Sequence, residues 1–406
     1  MIIKLAWRNI WRNKRRSYLT IGSIMFAVIL AIFMRSMQLG SYEKMIENSV
    51  RFYTGHIQIH QNGYWDDKVI DNSMVVDSNL LESLHEIEGV TDVVPRMESF
   101  VLAAYGTKTR GSLIMGIDPE AENGLTGLKD KLVEGEYLDL NDKAVLISEG
   151  LAKYLEMQVG DTLVMLGQGY HSSTAAAIYP IKGIVKFPIK MQNDQSVFLP
   201  IAQAQWLFDA PDLLTSISLM VDKVKNVPGV AIEVKSNVDL ETLEVMEWQE
   251  LTPELLQAIE IDDLSARFML YILYLVIGFG MLGTFMMMTA ERQYEFGVMI
   301  SIGMSRIKMQ LVIALEMLMM TFLALFIGIA VTLPGLIYLY NNPVKLLGDM
   351  AIAAEKAGME AMITFSLTPE IFINQAWAIL LMAILLGFYP LRSIQKLKPV
   401  KAMRGE

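Results

Sequence analysis

The fold is decided by the stretch from Phe268 to Tyr340, in which two long apolar segments flank a short charged one. Residues 268–290 read FMLYILYLVIGFGMLGTFMMMTA and contain no charged side chain in 23 positions. Residues 291–310 carry charges at both ends, and residues 311–340 are uncharged except for Glu316. About 20 apolar residues are enough for a helix to cross ~30 Å of hydrocarbon. The stretch therefore predicts membrane-spanning helices at 268–290 and 311–340, joined by a polar segment at 291–310.

Two further segments are apolar enough to span a membrane. One follows the basic residues 1–16, and no small-x-small cleavage site of a secretory signal follows it. We therefore predict an uncleaved first span at 17–39. The other, at 371–391, predicts a fourth span that precedes the basic residues 392–406.

The charge of the chain is unevenly distributed along its length. The net charge is −10, yet residues 1–16 contain six Lys or Arg and no acid, whereas residues 40–267 contain 36 Asp or Glu against 17 Lys or Arg. Basic segments of membrane proteins stay in the cytoplasm. This places both termini and 291–310 inside, and 40–267 and the loop 341–370 outside. A strongly acidic domain also argues against nucleic-acid binding.

Residues 40–267 contain no spanning segment. Short runs with strand-like alternation are separated by turns and by helix-like segments, for example a strand at Ser216–Val221 and a helix at Ile201–Phe208. The pattern predicts an α+β extracytoplasmic domain of about 225 residues, which is large enough for two subdomains.

Motifs of catalysis and metal binding are missing from the sequence. There is no Gly-Lys dipeptide, so the chain has no Walker A loop for nucleotide phosphates, and it has neither a Gly-x-Ser-x-Gly elbow nor a His-Glu-x-x-His motif. His56 and His60 lie in a strand-like stretch, where four residues span ~13 Å. That separation is too large for one zinc ion. We predict no catalytic residue and no metal site.

Glu316 is the one carboxylate within a predicted span. At 1.5 Å per residue it lies ~7.5 Å beyond Leu311, near the inner interface. Ionisable groups in membrane segments are usually functional, so Glu316 is predicted to pair with a base of the cytoplasmic loop, such as Arg306 or Lys308. The alternative is a side chain that reaches the lipid headgroups.

Several segments together resemble the FtsX-like (MacB-type) permeases of ABC transporters. The cytoplasmic segment ERQYEFGVMISIGMS (291–305), with Glu316 in the following helix, is similar to the family's Glu-Arg, Glu-(Ile/Phe)-Gly and small-x-Gly signature. Further likenesses are the start LAWRNIWRNKRR (5–16), the end YPLRSIQKLKPVKAMR (389–404), and Val90–Pro95, Gly116–Pro119, Glu149–Ala152 and Val159–Asp161 in the outer domain. The resemblance covers the whole chain.

The resemblance implies a polytopic α-helical membrane protein with four transmembrane helices and a porter-like plus sabre-like domain between the first two. It implies a bacterial inner-membrane location and a pair of identical or different permeases. Two cytoplasmic ATPase subunits on separate chains would bind the ATP and Mg. A coupling helix at about Tyr294–Met309 would sit in a cleft of the ATPase. The implied coupling residues are Glu291, Arg292, Glu295, Gly297, Gly303, Arg306 and Glu316.

The resemblance leaves the cargo open. The layout is most similar to the lipoprotein-releasing (LolC/LolE-type) permeases, in which a hairpin hook binds a periplasmic lipoprotein carrier. The corresponding hairpin in this chain is 167–179, with Gly167, Gly169, Tyr170 and Tyr179 and a flexible Ser172–Ala177 run, and a plain mobile hairpin is the alternative. Lipoprotein release is the first expectation. The others are export of drugs, peptides or other amphiphiles with a membrane-fusion adaptor and an outer-membrane channel, and cargo-free signalling to cell-wall hydrolases. Membrane lipid is an expected partner in each case.

Overall fold

The computed structural model of the chain describes residues 2–12, 14–76, 78–356 and 360–397, so residues 398–406 of the predicted basic tail lie outside it. The chain forms two compact units. The first contains Met1–Glu43, Ala258–Val344 and Ile363–Glu406, and the second contains Lys44–Gln257 and Lys345–Met362. Residues 345–362, predicted as part of a plain loop at 341–370, thus belong to the same unit as the extracytoplasmic domain.

Helices occur in both units and range from one turn to more than ten. In chain order they are α1 (Ile2–Arg12), α2 (Lys14–Ser49), α3 (Ser78–His85), α4 (Pro119–Thr126), α5 (Glu149–Leu155), α6 (Lys190–Gln195), α7 (Ile201–Leu207), α8 (Val227–Asn237), α9 (Trp248–Leu251), α10 (Pro253–Ala290), α11 (Gln293–Ser301), α12 (Arg306–Asn341), α13 (Asp349–Lys356) and α14 (Pro369–Gln395). A short π-helical segment, Val50–Thr54, continues α2.

The prediction of four membrane spans is confirmed. Within the described residues, four helices are long and apolar enough to cross a membrane, at Ser17–Thr54, Pro253–Ala290, Arg306–Asn341 and Pro369–Gln395. A helix of 38 residues is about 57 Å long, which exceeds the hydrocarbon thickness. Consequently the predicted boundaries 39/40 and 267/268 fall inside the continuous helices α2 and α10.

An apolar core lies between the helices of the first unit. Ile24, Ile32, Phe285, Met317 and Ile379 are members of it, and each is almost completely buried. Helix α12 approaches α2 closely at Gly328, where an added Cβ would lie only 2.9 Å from a Val28 methyl carbon. Small residues at such crossings increase the packing between membrane helices.

Strands lie mainly in the second unit. In chain order they are β1 (Ile57–Gln61), β2 (Met74–Val75), β3 (Val90–Tyr105), β4 (Lys108–Ile117), β5 (Leu132–Gly135), β6 (Val145–Ser148), β7 (Thr162–Gln168), β8 (Thr174–Val185), β9 (Ser196–Pro200), β10 (Leu213–Leu214), β11 (Ser216–Val221), β12 (Leu243–Glu247), β13 (Val344–Lys345) and β14 (Met362–Ile363).

A ten-stranded mixed sheet is the centre of the second unit as far as the structure describes it. Its order is β12-β1-β11-β3-β4-β9-β6-β8-β5, and β7 pairs with both β3 and β8. Strands β4 and β9, and β6 and β8, are parallel, and the remaining pairs are antiparallel. The α+β prediction is therefore confirmed for this unit.

The two ends of the sheet have separate apolar cores. Strands β1, β11 and β12 pack with α3 and α8 around residues such as Leu84 and Ile217. Strands β6 to β9 pack with α5 and α7 around residues such as Leu151 and Phe208. Separate cores are what a domain of two parts requires.

A buried ion pair joins α4 to the middle of this sheet. Arg96 lies on β3 and Glu122 lies on α4, and neither side chain is exposed to solvent. The Arg96 guanidinium donates through Nε and Nη2 to the two carboxylate oxygens of Glu122, each at 2.8 Å. Such a two-pronged contact fixes the relative orientation of both side chains.

Candidate functional site

The polar segment between the second and third spans contains one short helix and a turn. Helix α11 ends at Ser301, Gly303 adopts φ +106°, and the Ser305 side chain caps the first turn of α12. A φ of this value is readily accessible to glycine alone. The segment predicted as a coupling helix at about Tyr294–Met309 is therefore divided: α11 ends before the turn at Gly303, and Arg306 already belongs to α12.

Glu316 forms a buried ion pair with Arg292. The Arg292 Nη1 donates to both carboxylate oxygens of Glu316, at 2.9 and 2.8 Å. The side chain of Arg292 is 5% exposed and that of Glu316 is 1% exposed. The predicted pairing of Glu316 with a base of the loop is thus present, but the base is Arg292 and not Arg306 or Lys308. Arg306 instead donates to the backbone carbonyl of Gln395.

Glu295 extends this pair to the N-terminal helix. Its carboxylate accepts from Arg292 Nε at 3.1 Å and also from the Arg12 guanidinium at the end of α1. Burial alone would raise the pKa of Glu295, but the hydrogen bonds from Arg12 and Arg292 lower it overall. Arg12, Glu295, Arg292 and Glu316 form what we call the ion-pair network. It links α1, α11 and α12.

Helix α11 is also fixed by apolar contacts. Phe296 is 1% exposed and lies within the core of the first unit. The Arg292 guanidinium carbon lies 5.3 Å from the centre of the Phe296 ring, within the range of a cation–π contact. Gly297 is buried on the same helix. One face of α11 is therefore held against the spans.

The other face of the segment presents apolar side chains to solvent. Tyr294 is 60% exposed, Ile302 is 81% exposed and Ile307 is 77% exposed. Glu291 is exposed and begins the segment. Large exposed apolar side chains in and next to a polar segment are candidates for a protein interaction surface.

The Gly303 turn gives the first testable prediction. An added Cβ would meet nothing within 4 Å, so any effect of Gly303→Val must come from the backbone conformation. β-Branched residues do not adopt the φ of +106° that Gly303 has. We expect the variant to lose about 1–3 kcal/mol of local stability, read as faster amide exchange in residues 298–306. Gly280→Ala is the control, because that Cβ also meets nothing and its helical backbone suits alanine. Equal exchange in both variants would contradict this account of the turn.

The predicted carrier-binding hairpin is tightly paired. Residues 162–168 of β7 pair with residues 174–180 of β8, so Gly167 and most of the Ser172–Ala177 run lie in the ladder or its short turn. The run predicted as flexible is thus strand from Thr174 to Ala177. Gly169 and Tyr170 lie in the turn, whereas Tyr179 is 5% exposed and donates to Gln203 Oε1 at 3.1 Å. Whether this hairpin binds a carrier stays a prediction.

His56 and His60 have protein partners in the second unit. The Nδ1 of His56 accepts from the Val221 amide at 3.0 Å, and the Nε2 of His60 lies 2.8 Å from Gln58 Oε1, to which it donates. In the described part of the chain, no group of three or more His, Cys, Asp or Glu residues is placed to hold a metal ion. Burial and the positive charge of Lys68 lower the pKa of His60 to about 3.

The lowered pKa of His60 predicts acid sensitivity of the second unit. Between about pH 6.5 and pH 3 the unfolded chain binds a proton at His60 that the folded chain does not bind. The free energy of unfolding is therefore unaffected by His60 above pH 6.5. It falls as the pH is lowered towards 3, by up to about 1.4 kcal/mol per pH unit. We expect His60→Gln to flatten the fall of the thermal midpoint between pH 6.5 and 4.5. His85→Gln, at an exposed position, is the control, and an unchanged slope in His60→Gln would contradict the prediction.

Two family models match most of the chain. The MacB-like periplasmic core domain matches residues 17–245, and the FtsX-like permease C-terminal domain matches residues 267–399. The second match contains Arg292, Glu295, Gly303 and Glu316 of the polar segment and its ion-pair network.

Full-length relatives match the chain over its whole length. An uncharacterized ABC transporter permease of Methanocaldococcus jannaschii is 23% identical, over 100% of this chain and 98% of its own. The uncharacterized ABC transporter permease YknZ of Bacillus subtilis is 20% identical, over 100% of this chain and 98% of its own length. The macrolide export ATP-binding/permease protein MacB of Haemophilus ducreyi is 21% identical over 99% of this chain, which covers 56% of the longer relative.

Two solved extracytoplasmic regions are similar to part of the chain. The extracellular domain of YknZ aligns with a TM-score of 0.35 at 15% identity, over 47% of this chain and 99% of that domain. The periplasmic region of MacB from Actinobacillus actinomycetemcomitans aligns with a TM-score of 0.37 at 15% identity, over 53% of this chain and 98% of that region.

Proposed function

The chain belongs to the FtsX-like ABC-transporter permeases with a MacB-like periplasmic core domain, and we propose that it transmits ATP-driven motion from a separate ATPase chain to its outer domain. Membership of this family implies a cytoplasmic ATPase partner and pairing with a second permease. The sequence itself contains no Walker A motif. Its absence supports our proposal that the energy source for transport lies on the partner chain.

The single observation that carries the proposal is the buried Arg292–Glu316 pair. It joins the segment between two spans to the third span by two hydrogen bonds in a site closed to solvent. Moving α11 relative to α12 would separate two buried charges, which is strongly unfavourable. A displacement of α11 by a partner would therefore be passed on to α12 rather than absorbed locally.

The exposed apolar face of the segment is the proposed contact with the ATPase. Tyr294, Ile302 and Ile307 offer the apolar anchors that tight protein interfaces use at their centre. In this arrangement the segment and both termini lie in the cytoplasm, and residues 40–267 lie outside it. The membrane in question is then the cytoplasmic membrane.

For the cargo we propose an amphiphile exported from the outer side of that membrane. The Haemophilus relative is named as a macrolide export protein, and macrolides are amphiphilic. A membrane-fusion adaptor would then be a further partner. Lipoprotein release, with a periplasmic carrier bound by the 167–179 hairpin, stays the alternative.

The proposal is tested by replacing Glu295 and Gly303 together, by Gln and Val, in a complex purified with its ATPase and reconstituted in lipid. We expect the double variant to bind the ATPase and hydrolyse ATP while export falls at least tenfold. Glu260→Gln, at an exposed position on α10, serves as the control. Wild-type export in the double variant would remove the segment from the transmission path.

A second experiment separates the two cargo classes. Depletion of the protein is expected to leave acylated proteins in their normal membrane and to raise sensitivity to amphiphilic drugs. Mislocalised lipoproteins with unchanged drug sensitivity would instead favour lipoprotein release and contradict the proposed export.

A further inference from the structure

The second unit contains a large cavity away from the ion-pair network. Its volume is about 880 Å³, within the range of about 300–1,000 Å³ typical of small-molecule sites. Part of its wall comes from the sheet unit around Leu132 and Phe187. The remainder comes from Leu346, Leu347 and Ile352 in the segment 345–362. All of the lining residues belong to this one unit.

The apolar part of the lining is incompletely covered by protein. Val133 is 51% exposed, Leu347 is 79% exposed and Ile352 is 50% exposed. All three line the cavity. Large apolar side chains that line a concave surface and remain open to water are typical of a site for an apolar ligand.

The charged part of the lining has a small excess of positive charge. The lining acids and bases are Lys131, Lys153, Lys186, Lys190 and Lys345, with Asp130, Glu149, Asp194 and Glu360. Glu149 pairs with Lys153 and Lys186, and Asp194 pairs with Lys190. In the described part of the chain, Lys131 and Lys345 have no carboxylate oxygen within 4.0 Å.

Lys131 is the basic group best placed to receive an anion. Its ammonium lies 4.3 Å from the centre of the Phe52 ring and donates to the backbone carbonyl of Thr126 at 2.6 Å. Burial lowers the pKa of Lys131, and the positive charge of Arg51 lowers it further, although the negative charges of Asp130 and Glu360 oppose the change. No carboxylate contacts this ammonium directly in the described part of the chain, so an anion beside it would be stabilised.

We infer that this cavity binds an anionic amphiphile. The hydrocarbon chain of the amphiphile lies against Val133, Leu347 and Ile352, and its anionic head lies at Lys131 and Lys345. The inference concerns binding only and does not depend on the proposed transport function. The same chemistry could come from a free acyl anion in the medium or from an anionic phospholipid of the bilayer.

The test uses the absence of cysteine from the chain. Leu347→Cys, labelled with an environment-sensitive dye, reports on the cavity in full-length protein held in phosphatidylcholine nanodiscs. Ile232→Cys, at a 72% exposed position on α8 of the same unit, controls for general effects of the amphiphile. The probes are dodecanoate and, as the matched cation, dodecyltrimethylammonium.

We expect a saturable blue shift with dodecanoate at position 347 and none at position 232. Lys131→Gln together with Lys345→Gln should weaken dodecanoate binding at least tenfold, whereas Lys129→Gln, an exposed lysine outside the lining, should leave it unchanged. An unchanged thermal midpoint for each variant excludes unfolding as the cause of lost binding. If the lysine variants unfold, Val133→Asp replaces them in the test. This substitution puts a charge where the hydrocarbon chain of the amphiphile is proposed to lie, and it should abolish dodecanoate binding.

Three results would overturn the inference. The first is that dodecanoate gives no saturable shift at position 347, and the second is that it gives an equal shift at position 232. The third is that dodecanoate and dodecyltrimethylammonium bind equally well and that the lysine substitutions change the binding of neither. Nanodiscs with phosphatidylglycerol in place of some phosphatidylcholine distinguish the two sources. A shift in the phosphatidylglycerol nanodiscs without added dodecanoate assigns the site to bilayer lipid. A shift that appears only when dodecanoate is added assigns it to a free amphiphile.

Discussion

Replacement of Glu316 by alanine is expected to destabilise the first unit by about 3–5 kcal/mol, because the buried Arg292 charge loses its buried carboxylate partner and keeps only the half-exposed Glu295. Arg292 keeps its contacts with Glu295, which is 40% exposed, and with the buried Phe296 ring, but its Nη1 loses both of its hydrogen-bond acceptors. The measurement is the thermal midpoint of the purified protein in detergent, together with its rate of proteolysis in residues 291–305.

Two variants make this prediction specific to the pair. Arg292→Met combined with Glu316→Leu removes both charges, so it should regain most of the stability that the single substitution loses. Glu260→Ala removes an exposed carboxylate from α10 and should change the midpoint little. A double variant as unstable as Glu316→Ala would mean that packing, not the unpaired charge, explains the loss.

The second large effect is expected in the outer domain. Glu122→Ala should destabilise the second unit by about 3–5 kcal/mol, since Arg96 would remain fully buried without its two hydrogen bonds to a carboxylate, and Glu98, at 3.8 Å, makes none to it. We expect loss of the cooperative unfolding transition of this unit at physiological temperature or a large fall in its midpoint. The readout is hydrogen exchange in β3, which carries Arg96.

The control for this variant lies in the same helix. Glu120 is exposed on α4, so Glu120→Ala removes a carboxylate from the same element without touching Arg96. We expect exchange in β3 to stay near the wild-type rate in that variant. If hydrogen exchange in β3 rose equally in both variants, its cause would be a general loss of stability in α4 and not the loss of the ion pair.

The spans could be predicted from the sequence because the signal is local. A hydrocarbon layer accepts only segments whose polar backbone groups are satisfied within the helix, and an uncharged run such as 268–290 meets that requirement. The ends of the helices could not be predicted in the same way. Helices α2 and α10 continue through the predicted boundaries at 39/40 and 267/268, because the end of an apolar run marks the edge of the hydrocarbon and not the last helical residue.

The partner of Glu316 could have been found with one further step. If Arg306 begins the helix that contains Glu316, the two lie about 15 Å apart along its axis, and Lys308 lies about 12 Å away. Neither can then pair with it. Arg292 is the remaining base in residues 268–305 of the sequence, and it makes the contact.

Contacts between distant parts of the chain could not be read from the sequence. The Ser172–Ala177 run has the composition of a flexible loop, but pairing with β7 makes most of it part of β8. Strand preference depends on such neighbours more than on the residue itself. Likewise, residues 345–362 join the second unit through long-range contacts, including a hydrogen bond from Asn48 to Glu360 at 3.2 Å.

The most direct measurement is hydrogen–deuterium exchange in residues 44–257 of the complex with its ATPase, recorded with and without ATP. We predict an ATP-dependent change of exchange in the wild-type protein and its loss in Glu316→Gln, while the ATPase stays bound and active. The same ATP-dependent change in a folded Glu316→Gln protein would contradict transmission through the Arg292–Glu316 pair.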